Sequence, residues 1–131
     1  MVNEFEIKKQ ICDIGRRIYN RNMVAANDGN ISVKLNDNEF LCTPTGVSKG
    51  FMTPEFICKV DAQGNVIQAN PGFKPSSEIK MHMRVYQKRP ERRICSTCSS
   101  DLCNIFCYRW YPAYTADHAR SSYRSWMCSD R

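Results

Sequence analysis

Three short segments of this 131-residue chain combine residue types suited to holding an anion, and one of them adds a carboxyl that can move a proton. The first is Asn27-Asp28-Gly29-Asn30, just ahead of a strand pattern. Gly29 permits a tight turn and a close approach of backbone to a ligand, and the Asn30 amide can donate to an oxyanion. The second, Thr43-Pro44-Thr45-Gly46, offers a hydroxyl and the N–H of Gly46 between a strand and a loop. The third is Pro75-Ser76-Ser77-Glu78 at a helix start, where two hydroxyls sit beside unpaired helix N–H groups. That combination favours an anion. Taken singly, the three also read as a turn, a loop and a helix cap. Their order and spacing give them joint weight.

The elements that must position them lie in residues 1–91, which read as ordinary α/β sequence. Ile7, Ile11, Ile14 and Ile18 recur at helical spacing and predict an amphipathic helix over Glu4–Asn20. Ile31–Leu35 alternates with period two, Asn36-Asp37-Asn38 turns the chain, and Glu39–Thr43 returns as a second strand. Thr53 as cap and Pro54 at the first helical position predict a helix start. Ile57–Val60 and Val66–Gln68 form a second hairpin around Gly64. Ser76-Ser77-Glu78 opens a helix with Ile79, Met83 and Tyr86 on one face, running to about Lys88 before Pro90.

Length allows one small domain with a real core. The net charge of +6 divides evenly between residues 1–91 and 92–131, and neither part has a dense basic run. Nucleic acid is therefore not an expected partner. No apolar stretch is long enough to span a bilayer, and no signal-peptide pattern follows Met1. A cytoplasmic location without a disulfide framework is the expectation. The composition changes abruptly near residue 92. Cys95, Cys98, Cys103, Cys107, Cys128 and both tryptophans, Trp110 and Trp126, fall beyond it, with no Lys, Glu, Gly or Val. The apolar residues there follow neither period, so residues 92–131 are expected to be a disordered tail without stable secondary structure of their own.

The text from about Glu4 to Glu91 resembles the class II (metal-dependent) aldolase/adducin family, closest to its L-fuculose-phosphate aldolase branch. The resemblance rests on Asp28-Gly29-Asn30-Ile31-Ser32-Val33, Thr43-Pro44-Thr45-Gly46, Lys74-Pro75-Ser76-Ser77-Glu78, Met81-His82-Met83 and Tyr86-Gln87-Lys88-Arg89-Pro90. It implies a three-layer α/β/α domain around a mainly antiparallel sheet, incomplete here at the C-terminus. Gly29, Asn30, Thr45, Gly46, Ser76 and Ser77 would hold a substrate phosphate, and Glu78 would be the catalytic acid/base and a possible metal contact. The implied reaction is cleavage of an L-fuculose 1-phosphate-like sugar phosphate to dihydroxyacetone phosphate and an aldehyde. A divalent metal, expected to be zinc, acts as Lewis acid, and Glu78 shuttles a proton if burial or phosphate charge raises its proton affinity. Related pentulose-phosphate 4-epimerases carry Asp where this chain has Glu78, which favours the aldolase reading. Intact relatives are expected to be homotetramers.

The resemblance also implies a metal held by histidines, two of them in a His-x-His-Pro-like motif just past the Arg-Pro-Glu ending this helix. Only His82 and His118 are present. His82 falls on the helix opened by Ser76–Glu78 and reads as structural, so the histidine ligands are missing. A change of reading frame accounts for this. Thr97-Cys98-Ser99-Ser100-Asp101 can be encoded ACA-TGC-TCA-TCC-GAT, which read one nucleotide later gives His-Ala-His-Pro. Continued from Arg92, the shifted text keeps the family's pattern. The frame reading explains the cysteines, the all-Arg basicity and the absent histidines together. It implies that residues 92–131 are aberrant and the domain truncated. The chain would then be inactive, poor at retaining metal, and prone to aggregation or degradation. Two other readings stand beside it. One is a non-enzymatic, adducin-like interaction module. The other is a zinc or nucleic-acid module built on Cys95-x-x-Cys98 with Cys103 and Cys107.

Overall fold

A computed structural model of the chain describes residues 3–98 and, as backbone, the strand at 106–108. Helix α1 spans Glu4–Asn20. Asn3 caps it by accepting from the Phe5 N–H at 3.1 Å, Glu4 and Glu6 sit in the first turn, and Arg17 lies in the last, all favourable to the helix dipole. Strands β1 (Asn30–Lys34) and β2 (Phe40–Cys42) form the first hairpin, and β3 (Cys58–Val60) and β4 (Val66–Gln68) the second. Helix α2 covers Ile79–Lys88, with Glu78 as its N-cap residue. Strands β5 (Ile94–Thr97) and β6 (Phe106–Tyr108) complete one sheet in the order β4-β3-β2-β1-β5-β6. Every neighbouring pair is antiparallel.

Alternation along the strands creates the layers. Ile31 and Leu41 point to one face and pack with Ile11, Met52 and Ile57, while Ile7, Ile14 and Ile18 of α1 close over that cluster. Phe40, Cys42, Cys58, Val60 and Cys95 point to the other face, against Ile79, Met83 and Tyr86 of α2. One helix on each side of the sheet makes the expected three-layer α/β/α domain. Among the described residues no helix is long and apolar enough to cross a membrane.

Two expectations are corrected. Thr53-Pro54-Glu55 opens only a single 3-10 turn, Pro54–Phe56, because Thr53 makes no side-chain cap and the chain extends into β3 two residues later. The absence of secondary structure beyond residue 92 does not hold for Ile94–Thr97. This segment pairs with β1 in the register Ile31↔Ser96 and Ser32↔Cys95, as an interior strand of the sheet between β1 and β6. Apart from β6, the rest of the expected tail lies outside the described residues, His118 included.

Candidate phosphate-binding cleft

The three segments meet at one end of the sheet. Thr43 directly follows β2, its hydroxyl accepting from the Ile31 N–H at 3.1 Å and its own N–H donating to Ile31 O at 3.0 Å. The chain beyond it runs beside the entry to α2. Thr45 N–H donates to Lys74 O at 2.9 Å, Ser76 N–H donates to Thr43 O at 3.1 Å, and Pro44 and Pro75 form an isolated antiparallel bridge. The second and third segments are therefore stitched together by backbone. Asn30 begins β1 and lies opposite Thr97 of β5. The loop ahead of it turns at Gly29 with φ +80°.

The result is an open cleft of about 470 Å³ lined by Gly29, Asn30, Thr45, Gly46, Ser76, Ser77 and Glu78. These are the residues to which the resemblance assigns the phosphate and the proton; Thr43 and Pro75 of the same segments do not line it. Ser76 is buried, and its hydroxyl accepts from the Glu78 N–H at 3.2 Å, which fixes the turn into α2. Thr45, Gly46, Ser77 and Glu78 are exposed on the cleft side. Glu78 is thus exposed rather than buried. Asn30 also departs from expectation in part. One side-chain N–H donates to Thr97 Oγ1 at 3.3 Å, which leaves the amide one further donor for a ligand.

The sequence reading did not single out Thr97, Cys98 and Met81 as cleft residues, nor Lys49 behind it. Thr97 and Cys98 reach the wall only through the pairing of β5 with β1, which no local pattern announces. Lys49 is 1% exposed, and its Nζ donates to Val47 O at 2.9 Å and Asn27 O at 3.3 Å. Burial pulls its pKa down to about 8, partly offset by the charge of Asp28. His82 is no part of the cleft lining. It is buried on the α2 side, with Nδ1 2.7 Å from Ser32 Oγ, and Tyr86 OH donates to Ser32 O at 2.9 Å.

A profile described as the Class II Aldolase and Adducin N-terminal domain matches residues 9–130. The chain belongs to the class II aldolase and adducin family. It is 38% identical over 93 residues to an L-fuculose phosphate aldolase of Methanococcus maripaludis, covering 71% of this chain and 49% of that protein. It is 39% identical over 84 residues to a 3-oxo-tetronate 4-phosphate decarboxylase of Haemophilus influenzae, covering 64% and 39%. Among solved structures, YgbL of Klebsiella pneumoniae superposes with a TM-score of 0.71 at 27% identity, over 78% of this chain and 48% of that one. The chain spans about half the length of these relatives, or less.

The family generally uses a divalent metal, and the residues described here do not fit one. Among them no group of three His, Cys, Asp or Glu side chains is placed to hold an ion. Cys95 packs in the core under α2 while Cys98 lines the cleft, so the Cys95-x-x-Cys98 spacing gathers no site among the described residues. Cys103 lies outside them, as does the side chain of Cys107.

Proposed function

We propose that the cleft holds the phosphate of a phosphorylated ketose, and that its parent reaction is aldol cleavage of an L-fuculose 1-phosphate-like sugar phosphate. The products would be dihydroxyacetone phosphate and an aldehyde. What carries this reading is the convergence of three separated segments, rich in neutral donors and carrying two carboxyls, Asp28 and Glu78, on a single cleft. Thr45, Ser76 and Ser77 offer hydroxyls, Gly46 offers backbone, and the remaining Asn30 N–H completes the set. Gly29 lets the loop approach closely, and Glu78, exposed on the same cleft, is the group that exchanges a proton with the substrate. The names of both relatives, the aldolase and the decarboxylase, specify a phosphate ester, so the phosphate end is the part of the ligand they share.

The chain as written binds but does not cleave, because the donors for a metal are absent from the described cleft. We read the text from about Arg92 onward as out of frame. The position of Thr97 supports that reading. It sits on the cleft wall beside Asn30, and the shifted frame places a histidine at 97 and another at 99. An imidazole at 97 would stand on the wall of the same cleft as Glu78. Sequencing the DNA around the codons for Glu91 to Arg93 tests this, and a gene with no histidine pair in either neighbouring frame would end it.

For the ligand, titration calorimetry with dihydroxyacetone phosphate should show binding, with none for dihydroxyacetone. Ser77→Ala should weaken it about tenfold, the worth of one hydrogen bond to a charged group. Equal binding of the unphosphorylated ketone would contradict the phosphate reading. Zinc-dependent turnover of a sugar phosphate would contradict the loss of activity.

A further inference from the structure

Lys49 is the largest fully buried side chain of the described residues, and it carries a charge into a place where an apolar side chain would fill the space at lower desolvation cost. No described carboxylate is hydrogen-bonded to it. Its two acceptors are backbone carbonyls of different cleft segments: Asn27, in the loop that turns at Gly29, and Val47, which follows Thr45-Gly46. One ammonium therefore ties the first segment to the second from behind the cleft.

The anchor end of this tie cannot shift. A Cβ at Gly15 would stand 2.7 Å from the Lys49 carbonyl oxygen, and one at Gly50 would stand 2.6 Å from the Tyr19 ring, so α1 is seated directly on the Lys49-Gly50 backbone. The other end needs holding. The connection from α1 to β1 places Asn22 at φ +55° and Ala26 at φ +45°, a region an alanine rarely adopts unless its surroundings impose it. Asp28, next to the Asn27 carbonyl, lines the cleft and is the nearby charge that favours the ammonium.

We propose that Lys49 is the positioning residue of the cleft. It locks the Asn27–Asn30 loop onto the Val47 turn, so that Gly29, Asn30 and Gly46 stand in place before an anion arrives, and it sets a positive charge behind the wall the anion meets. The choice of a phosphate ester as that anion rests on the function proposed above. The locking of the loop does not.

Amide hydrogen exchange of the full chain tests it. The Asp28 N–H, bonded to Ala25 O at 2.8 Å, reports the loop, and the Ile14 N–H reports α1. In Lys49→Met, exchange at Asp28 should rise at least tenfold with Ile14 unchanged. Affinity for dihydroxyacetone phosphate should fall about tenfold, and Lys49→Arg should recover most of both. Asp28 exchange unaltered in Lys49→Met, or raised equally at Ile14 with no recovery in Lys49→Arg, overturns the proposal. If Lys49→Met does not fold, the unaltered chain decides. Acylation of Lys49 by a succinimidyl ester should then be slow and should rise in step with Asp28 exchange across urea. Acylation that proceeds independently of the loop overturns it. A chain that binds no dihydroxyacetone phosphate sinks the phosphate reading, while the exchange comparison still decides Lys49.

Discussion

Replacing Gly29 by alanine is expected to cost the domain far more than the same change at Gly46, although both glycines lie in the left-handed region, at φ +80° and +73°. Each substitution meets the same backbone penalty, about 1–2 kcal/mol for a side chain forced into that conformation. At Gly46 nothing lies within 4 Å of the new Cβ, so the penalty ends there. At Gly29 the Cβ would stand 2.5 Å from Val24 Cγ1 and 3.0 Å from the Thr97 carbonyl oxygen. Val24 is buried, and Thr97 is held by the pairing of β5 with β1, so neither can yield cheaply. Overpacking of this kind adds about 1–3 kcal/mol. Urea unfolding should therefore place Gly29→Ala about 2–5 kcal/mol below the parent and Gly46→Ala about 1–2 kcal/mol below it. Equal losses in the two variants would mean that Gly29 serves only its turn and not the close seating of β5 against the loop.

That contrast reflects what could and could not be seen in the sequence. The isoleucine spacing of α1 and the alternation in the two hairpins are local signals, and the structure reproduces them to within a residue or two at each end. The entry to α2 was legible because the turn is fixed by a bond within the segment itself, from the Glu78 N–H to the Ser76 hydroxyl. The cleft's residues were legible as a set because their types and order match a family pattern, although nothing local says they meet. Their meeting is a long-range event, made by the Pro44–Pro75 bridge and the bonds flanking it.

Strand β5 was hidden for a physical reason. Cys95, Ser96 and Thr97 are all buried, so the segment has no polar face and no alternation, and its Ser and Thr look like loop residues. Only its partner β1 makes it a strand. Lys49 was hidden in the same way. Ser48-Lys49-Gly50 reads as solvated loop, and the burial of its ammonium is decided by α1, far along the chain, seating Gly15 and Tyr19 on the Lys49-Gly50 backbone. Residues whose role depends on a distant partner leave little mark on their own neighbourhood.

His82 shows the same dependence and yields a large expected effect of pH. Its ring is 1% exposed, and burial pulls its pKa down to about 4 from the ordinary value near 6.5. Nδ1 shares a hydrogen bond with Ser32 Oγ, while Nε2 has no partner among the described residues. The single Ser32 hydroxyl proton can go to His82 or to Tyr86 at 2.9 Å, and either arrangement leaves Nε2 unpaired. The ring is therefore neutral in the fold, and the unfolded chain binds the extra proton first. Stability from this group is fully present above pH 6.5 and is lost as pH falls toward 4. At pH 4.5 the loss should reach about 2.5 kcal/mol relative to neutral pH. Asp61, held below the usual carboxylate range by the Asn65 backbone N–H, gives up its contribution only at still lower pH, so the two effects separate. His82→Leu leaves Ser32 and Tyr86 bonded to each other and abandons no buried donor, so it should fold. Urea midpoints followed from pH 7 to 4.5 should fall steeply in the parent and stay nearly level in His82→Leu. A parent as stable at pH 4.5 as at pH 7, or a variant just as acid-sensitive, would show that His82 takes up its proton without leaving the core.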